Sequence, residues 1–276
     1  MLIRFGYDIT VDCLMQTPMI CMMAVRPEQH DALRIQHGVE TEPQVETSVY
    51  RDLFGNTCRR FVAPAGLFRL RADATIEVDP TPDPVLMHLP ETPLADLPDQ
   101  ALLYLIGSRY CETDRLSQYA WDRFGTVPPG WRRVQAICDY VHNHIRFNYQ
   151  NARATRTAFE AWQEQTGVCR DFAHLAVTLC RCMNIPTRYV NGYLGDIGVP
   201  VTGPMDFAAW MQCYLDGTWH TFDPRNNKPR IGRIVVAYGR DAADVPLIHS
   251  FGPHLLKNFQ IWTEHVPEPL VGTVVA

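Results

Sequence analysis

Between Gly167 and Tyr193 the chain reads GVCRDFAHLAVTLCRCMNIPTRYVNGY, and the residue in it with chemistry to offer is Cys169. Gly167 breaks whatever precedes it, and Phe172, Leu175, Ala176, Leu179 and Met183 then recur at helical spacing, which places Cys169 in the first turn of a helix. Unpaired backbone N–H groups and the positive end of the helix dipole gather there and favour thiolate over thiol, the ionised form being the nucleophile. A cysteine beside a helix start is far more often a structural thiol than a reactive one, so a second feature is needed.

That feature is the stretch MDFAAWMQCYLDGTWHTFDP, Met205 to Pro224, which ends in the acid Asp223. A two-residue turn at Asp216-Gly217 pairs Leu215 with Thr218, Tyr214 with Trp219 and Cys213 with His220. Side chains alternate along a strand, so Ala208, Trp210, Gln212 and Tyr214 share a face with Trp219, Thr221 and Asp223, while His220 takes the opposite face. His174 lies five residues past Cys169, about 140° around the helix, and is expected to face away from the thiol. His142 and His144 lack the i, i+4 spacing of a metal-binding pair and read as surface or packing residues. His249 and His254 fall in the loop-like LIHSFGPH, from which an imidazole could reach a cleft. Asp206 reads as a turn former.

These residues need elements to hold them. The first ninety residues suggest an all-β unit, with strands expected over Ile3–Val11, Met19–Val25 and Ser48–Leu53. In LFRLRADATIEVD, Leu70, Ala72, Ala74, Ile76 and Val78 alternate with charged and polar residues, the period of a half-buried strand. Gly55-Asn56 punctuates a hairpin. Prolines at 80, 82, 84, 90, 93 and 98 exclude an interior helix or central strand, and place a linker over 80–100. Helical periodicity follows at 101–106, 116–124 and 134–145, then strands from Thr187 onward. The expected division is a β domain over 1–90 and a second domain over 91–276.

The cysteine–helix run, AAWMQCYL and WHTFDP together resemble the core of the bacterial transglutaminase-like superfamily, thiol enzymes related in fold to papain-type proteases. The first ninety residues are similar, more loosely, to the β domain that precedes this core in many bacterial members. The resemblance implies an α+β fold: an N-terminal β-sandwich-like domain, then a papain-like core whose cysteine opens a helix packed on an antiparallel sheet. It implies a Cys-His-Asp triad in which thiolate attacks an amide or ester carbonyl, histidine shuttles the proton and aspartate orients the imidazole. Cys169 matches the nucleophile and Asp223 the aspartate, and Asp171 and Arg188 resemble family positions that pair internally. The family's His-Ala-Trp run corresponds to Ala208-Ala209-Trp210, so alanine stands where the base belongs. The implied function is a protease, amidase or acyl transferase working through a cysteine thioester, with activity reduced, altered or abolished. The alternative is an inactive binding module that keeps the cleft.

Composition narrows the partners. At 276 residues, 46% hydrophobic and 20% charged, the chain can bury a large core. A net charge of -5 and pI near 6.0 argue against a nucleic-acid binder, which needs a basic face. No window approaches the apolar length of a membrane span, and the N-terminus lacks the apolar run of a signal peptide. Nine cysteines, odd in number and without framework spacing, fit a reducing cytoplasm and give no zinc pattern. A peptide, protein or small amide substrate is expected, without metal or cofactor.

Overall fold

The computed structural model describes residues 1–201 and 206–267. Two antiparallel sheets build the N-terminal region. One runs in the order His254–Val266, Leu2–Cys13, Gly66–Glu77, Leu33–Gln36, with Glu40–Glu42 also paired to Gly66–Glu77; the other runs Ile248–Ser250, Thr17–Cys21, Thr57–Ala63, Thr47–Arg51. The alternation read in the sequence sets the burial: Leu70, Ala74 and Ile76 are inside while Arg69 and Glu77 are exposed. Their apolar faces share one core, in which Ile3, Phe5 and Ile9 meet Met19, Cys21 and Phe61. Gly55 turns the Thr47–Arg51/Thr57–Ala63 hairpin at φ 76°, a conformation glycine adopts without a Cβ penalty.

The strands Ile248–Ser250 and His254–Val266, assigned by sequence to the second domain, hydrogen-bond instead beside Thr17–Cys21 and Leu2–Cys13. The physical reason is the Leu2–Cys13 strand, whose buried row Ile3, Phe5, Tyr7, Ile9 would otherwise lie on a sheet edge with unpaired backbone. His249 pairs with Ile20 and His254 with Cys13, so neither sits in a loop aimed at a cleft. The proline-rich stretch is likewise no free tether. Apart from a bridge from Glu91 to Leu215, a 3-10 turn at Leu94–Asp96 and the start of the helix Asp99–Leu102, it runs irregularly against the second region, where Asp83 N–H donates to Arg230 O at 2.9 Å and Gly217 N–H to Thr92 Oγ1 at 3.1 Å.

In that second region the helix Cys169–Cys182 is buried from Asp171 to Cys182. Helices Thr113–Phe124, Trp131–His144 and Ala158–Glu164 pack around it, and beneath it lies a sheet ordered Thr218–Phe222, Phe207–Leu215, Thr187–Tyr193, Ile234–Gly239. The two regions share apolar packing: Phe5 and Tyr193 rings stand 4.9 Å apart, and Tyr193 Oη donates to Met23 O at 2.9 Å.

Candidate active site

Cys169 is the first residue of its helix, after Val168 in extended conformation. The start is fixed by Asp171, whose Oδ2 accepts from Val168 N–H at 2.8 Å and from Arg156 Nη1 at 3.1 Å, while Oδ1 accepts from Arg170 Nη2 at 3.1 Å. A carboxylate at the third helical position satisfies an orphan N–H and complements the dipole. Gly167 makes room for it, since a Cβ there would lie 2.6 Å from Asp171 Oδ2. Asp171 therefore does pair internally. Arg188 pairs too, through Nε and Nη2 to Gln212 Oε1 at 2.9 and 2.6 Å.

The hairpin register agrees with the sequence reading from Leu215↔Thr218 to Met211↔Phe222, and Asp216 and Gly217 both take positive φ, 47° and 80°. In such a hairpin the residue flanking the turn exchanges backbone hydrogen bonds with its partner, and so does every second residue after it. Leu215, Cys213, Met211 and Ala209 thus all direct N–H toward the neighbouring strand. That strand ends at Phe222, opposite Met211, so Ala209 N–H has no strand partner and is available to the Cys169 sulfur.

Of nine cysteines, eight are buried and Cys169 alone is partly exposed. Its environment differs from the simple helix-terminus expectation. Burial pushes the Cys169 thiol up, and the N–H groups of Ala209 and Arg170 with the Arg225 charge offset this only in part. Removing the sulfur from water costs more than the helix terminus returns. Tyr149 and Tyr189 are close enough that Cys169 helps raise their hydroxyls, already raised by burial.

Asp223, just past the last hairpin pair, is buried and fully engaged. Its Oδ1 accepts from Arg225 N–H at 3.1 Å and Asn226 N–H at 2.9 Å; Oδ2 accepts from Asn226 Nδ2 at 2.8 Å and Arg233 Nη2 at 2.9 Å. Burial alone would raise this carboxyl, but Arg233 and Asn226 outweigh it and hold Asp223 below the usual range. Arg233 also donates from Nε to Asp83 Oδ2 at 2.9 Å and lies over the Trp210 ring, 4.8 Å from its centroid. Ala208 sits opposite Gly192 in an apolar cluster with Val190, Leu194 and Trp210, and is 2% exposed. Arg233, which the sequence reading passed over, directly precedes the strand Ile234–Gly239. Its only sequence signal is a charge abutting an apolar run.

The histidines lie elsewhere. His220 shares its face with Phe222 and meets Trp131 edge-on at 5.7 Å. His174 is fully buried and stacked on Tyr110 at 5.1 Å; its Nε2 accepts from Ala242 N–H at 3.1 Å, and burial drives it well below the ordinary histidine range. His142 Nδ1 is 2.9 Å from Arg225 O, and His144 Nε2 2.7 Å from Trp162 O. Asp206 ties the hairpin to the edge strand, accepting Thr263 N–H at 3.1 Å and Thr263 Oγ1 at 2.7 Å.

A helix opened by a partly exposed cysteine, packed on an antiparallel sheet whose hairpin carries a buried acid, defines a papain-like, thiol-enzyme architecture. Residues 119–224 match the core model of the transglutaminase-like superfamily. The structure of a candidate cysteine protease from Cytophaga hutchinsonii is similar over 98% of this chain and 92% of that one, with TM-score 0.84 and 27% identity. An uncharacterized protein of Mycobacterium leprae is 38% identical over 167 residues, 50% of this chain and 59% of that protein. An uncharacterized protein of Mycobacterium bovis is 26% identical over 238 residues, 77% of this chain and 74% of that protein.

Proposed function

We propose that the protein is a cysteine-nucleophile acyl-transfer enzyme, with Cys169 attacking a carboxyl derivative and holding the acyl group as a thioester. The observation that carries this reading is the Cys169 sulfur itself, the partly exposed thiol among nine, at a helix start braced by Asp171 and facing Ala209 N–H. The same N–H and that of Arg170 stand where charge develops as the sulfur ionises. Ala208 occupies the place of the family histidine, and Asp223 bonds Arg233 in place of an imidazole. Substrates are peptides, proteins or small acyl compounds, and nine free thiols favour a cytoplasmic setting.

The second reading, a binding module without chemistry, draws on that same Asp223–Arg233 pair. Intact-mass analysis after exposure to an activated acyl ester separates the two: an adduct on Cys169, absent in Cys169→Ala, supports the enzyme. A protein that binds acylated peptide equally well with Cys169→Ala and forms no adduct is a module.

A further inference from the structure

We infer that the acyl donor this site accepts is a thioester rather than an amide. The inference rests on Cys169 being the nucleophile and names the substrate class of that site. It follows from where the protons are. All ten histidines lie within the described residues, so their accounting is complete. Those of the second region are committed to the core, to Trp131, or to backbone carbonyls, as described above; His88 belongs to the proline-rich segment. His249, His254 and His265 lie in sheet strands of the N-terminal region, and His30 and His37 flank the strand Leu33–Gln36. After burial, the groups that bear on the ionisation of Cys169 include Ala209 N–H, Arg225, Arg170 N–H and Asp223, and none of these is an imidazole. A guanidinium has only donors to offer and does not serve as a proton carrier. Asp223 already accepts four hydrogen bonds, one of them from a guanidinium.

An amine leaves a tetrahedral intermediate only after its nitrogen is protonated, the service a triad histidine performs. A thiolate needs no such service. The Cys169 thiolate adds to the carbonyl carbon and forms a C–S bond; the intermediate collapses by breaking the bond to the donor sulfur, which departs with the electron pair. No proton crosses, and one thioester replaces another. The rate then depends on the leaving thiol, a lower pKa leaving faster. Burial, which pushes the Cys169 thiol up, makes its thiolate the stronger nucleophile and the poorer leaving group, so exchange with a donor of lower thiol pKa runs forward. A second thiolate takes the acyl group off by the same addition; an amine arriving unprotonated also adds, and the proton its nitrogen then sheds goes to the departing Cys169 thiolate or to water.

The test compares acetyl-N-acetylcysteamine with the amide of matched shape, diacetylethylenediamine, reading acetyl transfer to Cys169 by intact mass and peptide mapping. The thioester is expected to acylate Cys169 faster than the amide by at least about 10³-fold, within the range a missing general acid accounts for. A phenyl thioester should react faster still, and Cys169→Ala should take no label. Cleavage of the amide at a comparable rate overturns the inference; its loss in His142→Gln would identify the proton carrier. A Cys169 that alkylates with iodoacetamide but takes no acetyl from either thioester overturns the substrate class while the nucleophile reading stands. A Cys169 inert to both overturns the two together.

Discussion

The two sides of the candidate site are built on different principles. At the helix start a carboxylate, Asp171, is turned inward to hold backbone, and Cys169 beside it meets the N–H groups of Ala209 and Arg170, with Arg225, Tyr149 and Tyr189 near enough to act on it or feel it. At the end of the hairpin the carboxylate of Asp223 is itself the centre, wrapped by Arg225, Asn226 and Arg233. The first arrangement leaves a thiol partly exposed. The second spends its acid on packing and on anchoring the proline-rich segment through Asp83. One carboxylate thus braces a helix start, and the other fixes a buried cation.

The largest effect should come from breaking the second arrangement. Arg233→Met leaves Asp223 buried without its cation, and removing one partner of such a pair costs about 3–5 kcal/mol. Urea unfolding should show this loss, while Cys169→Ala should stay near the wild-type midpoint; equal losses would erase the distinction between the two sides.

A histidine at position 208, the proposed place of the base, probes the same corner more gently. Ala208→His buries an imidazole among Val190, Leu194 and Trp210, a cost of about 1–3 kcal/mol for a polar group without a partner. Because Asp223 is held by Arg233, this variant should show no amide hydrolysis. Robust cleavage of peptide amides by Ala208→His would mean that Asp223 is free to orient an imidazole after all.

Acid separates the regions by window. His174 is held neutral by burial, its folded pKa well below the unfolded value near 6.5, so below pH 6.5 the unfolded chain gains a proton the folded one does not. Stability should fall by about 1.4 kcal/mol per pH unit from there downward, toward the folded pKa. Asp223 acts in a lower window: its carboxyl is depressed, so its contribution is present above the unfolded value near 3.9 and is lost as pH drops through its folded pKa. Urea midpoints between pH 7 and 5 should fall in the wild type and flatten in His174→Phe, which keeps the ring between Tyr110 and Tyr189. An unchanged slope would assign the titration elsewhere.

Periodicity made most elements legible. The alternating Gly66–Glu77 strand, the helix opened by Cys169 and the Asp216-Gly217 hairpin all follow from local rules, and hairpin parity alone put His220 on the far face. What local pattern could not carry was long-range partnership. Nothing near His254–Val266 says that it pairs with Leu2–Cys13, some 250 residues earlier, and the His249 and His254 alternatives fell with that pairing. Likewise Arg233 finds Asp223 and Asp83 only through the fold. The setting of the thiol is hidden for a related reason: a helix start is visible in sequence, but the burial that opposes it is a property of packing.

The most direct test of an unassisted Cys169 is its alkylation by iodoacetamide as a function of pH, read by peptide mass. A sulfur opposed by burial and without an imidazole should show one ionisation, displaced above the ordinary thiol value near 8.5 and unmoved by His142→Gln or His220→Gln. A reactivity plateau reached near pH 6–7, the mark of a thiolate–imidazolium pair, would contradict the account.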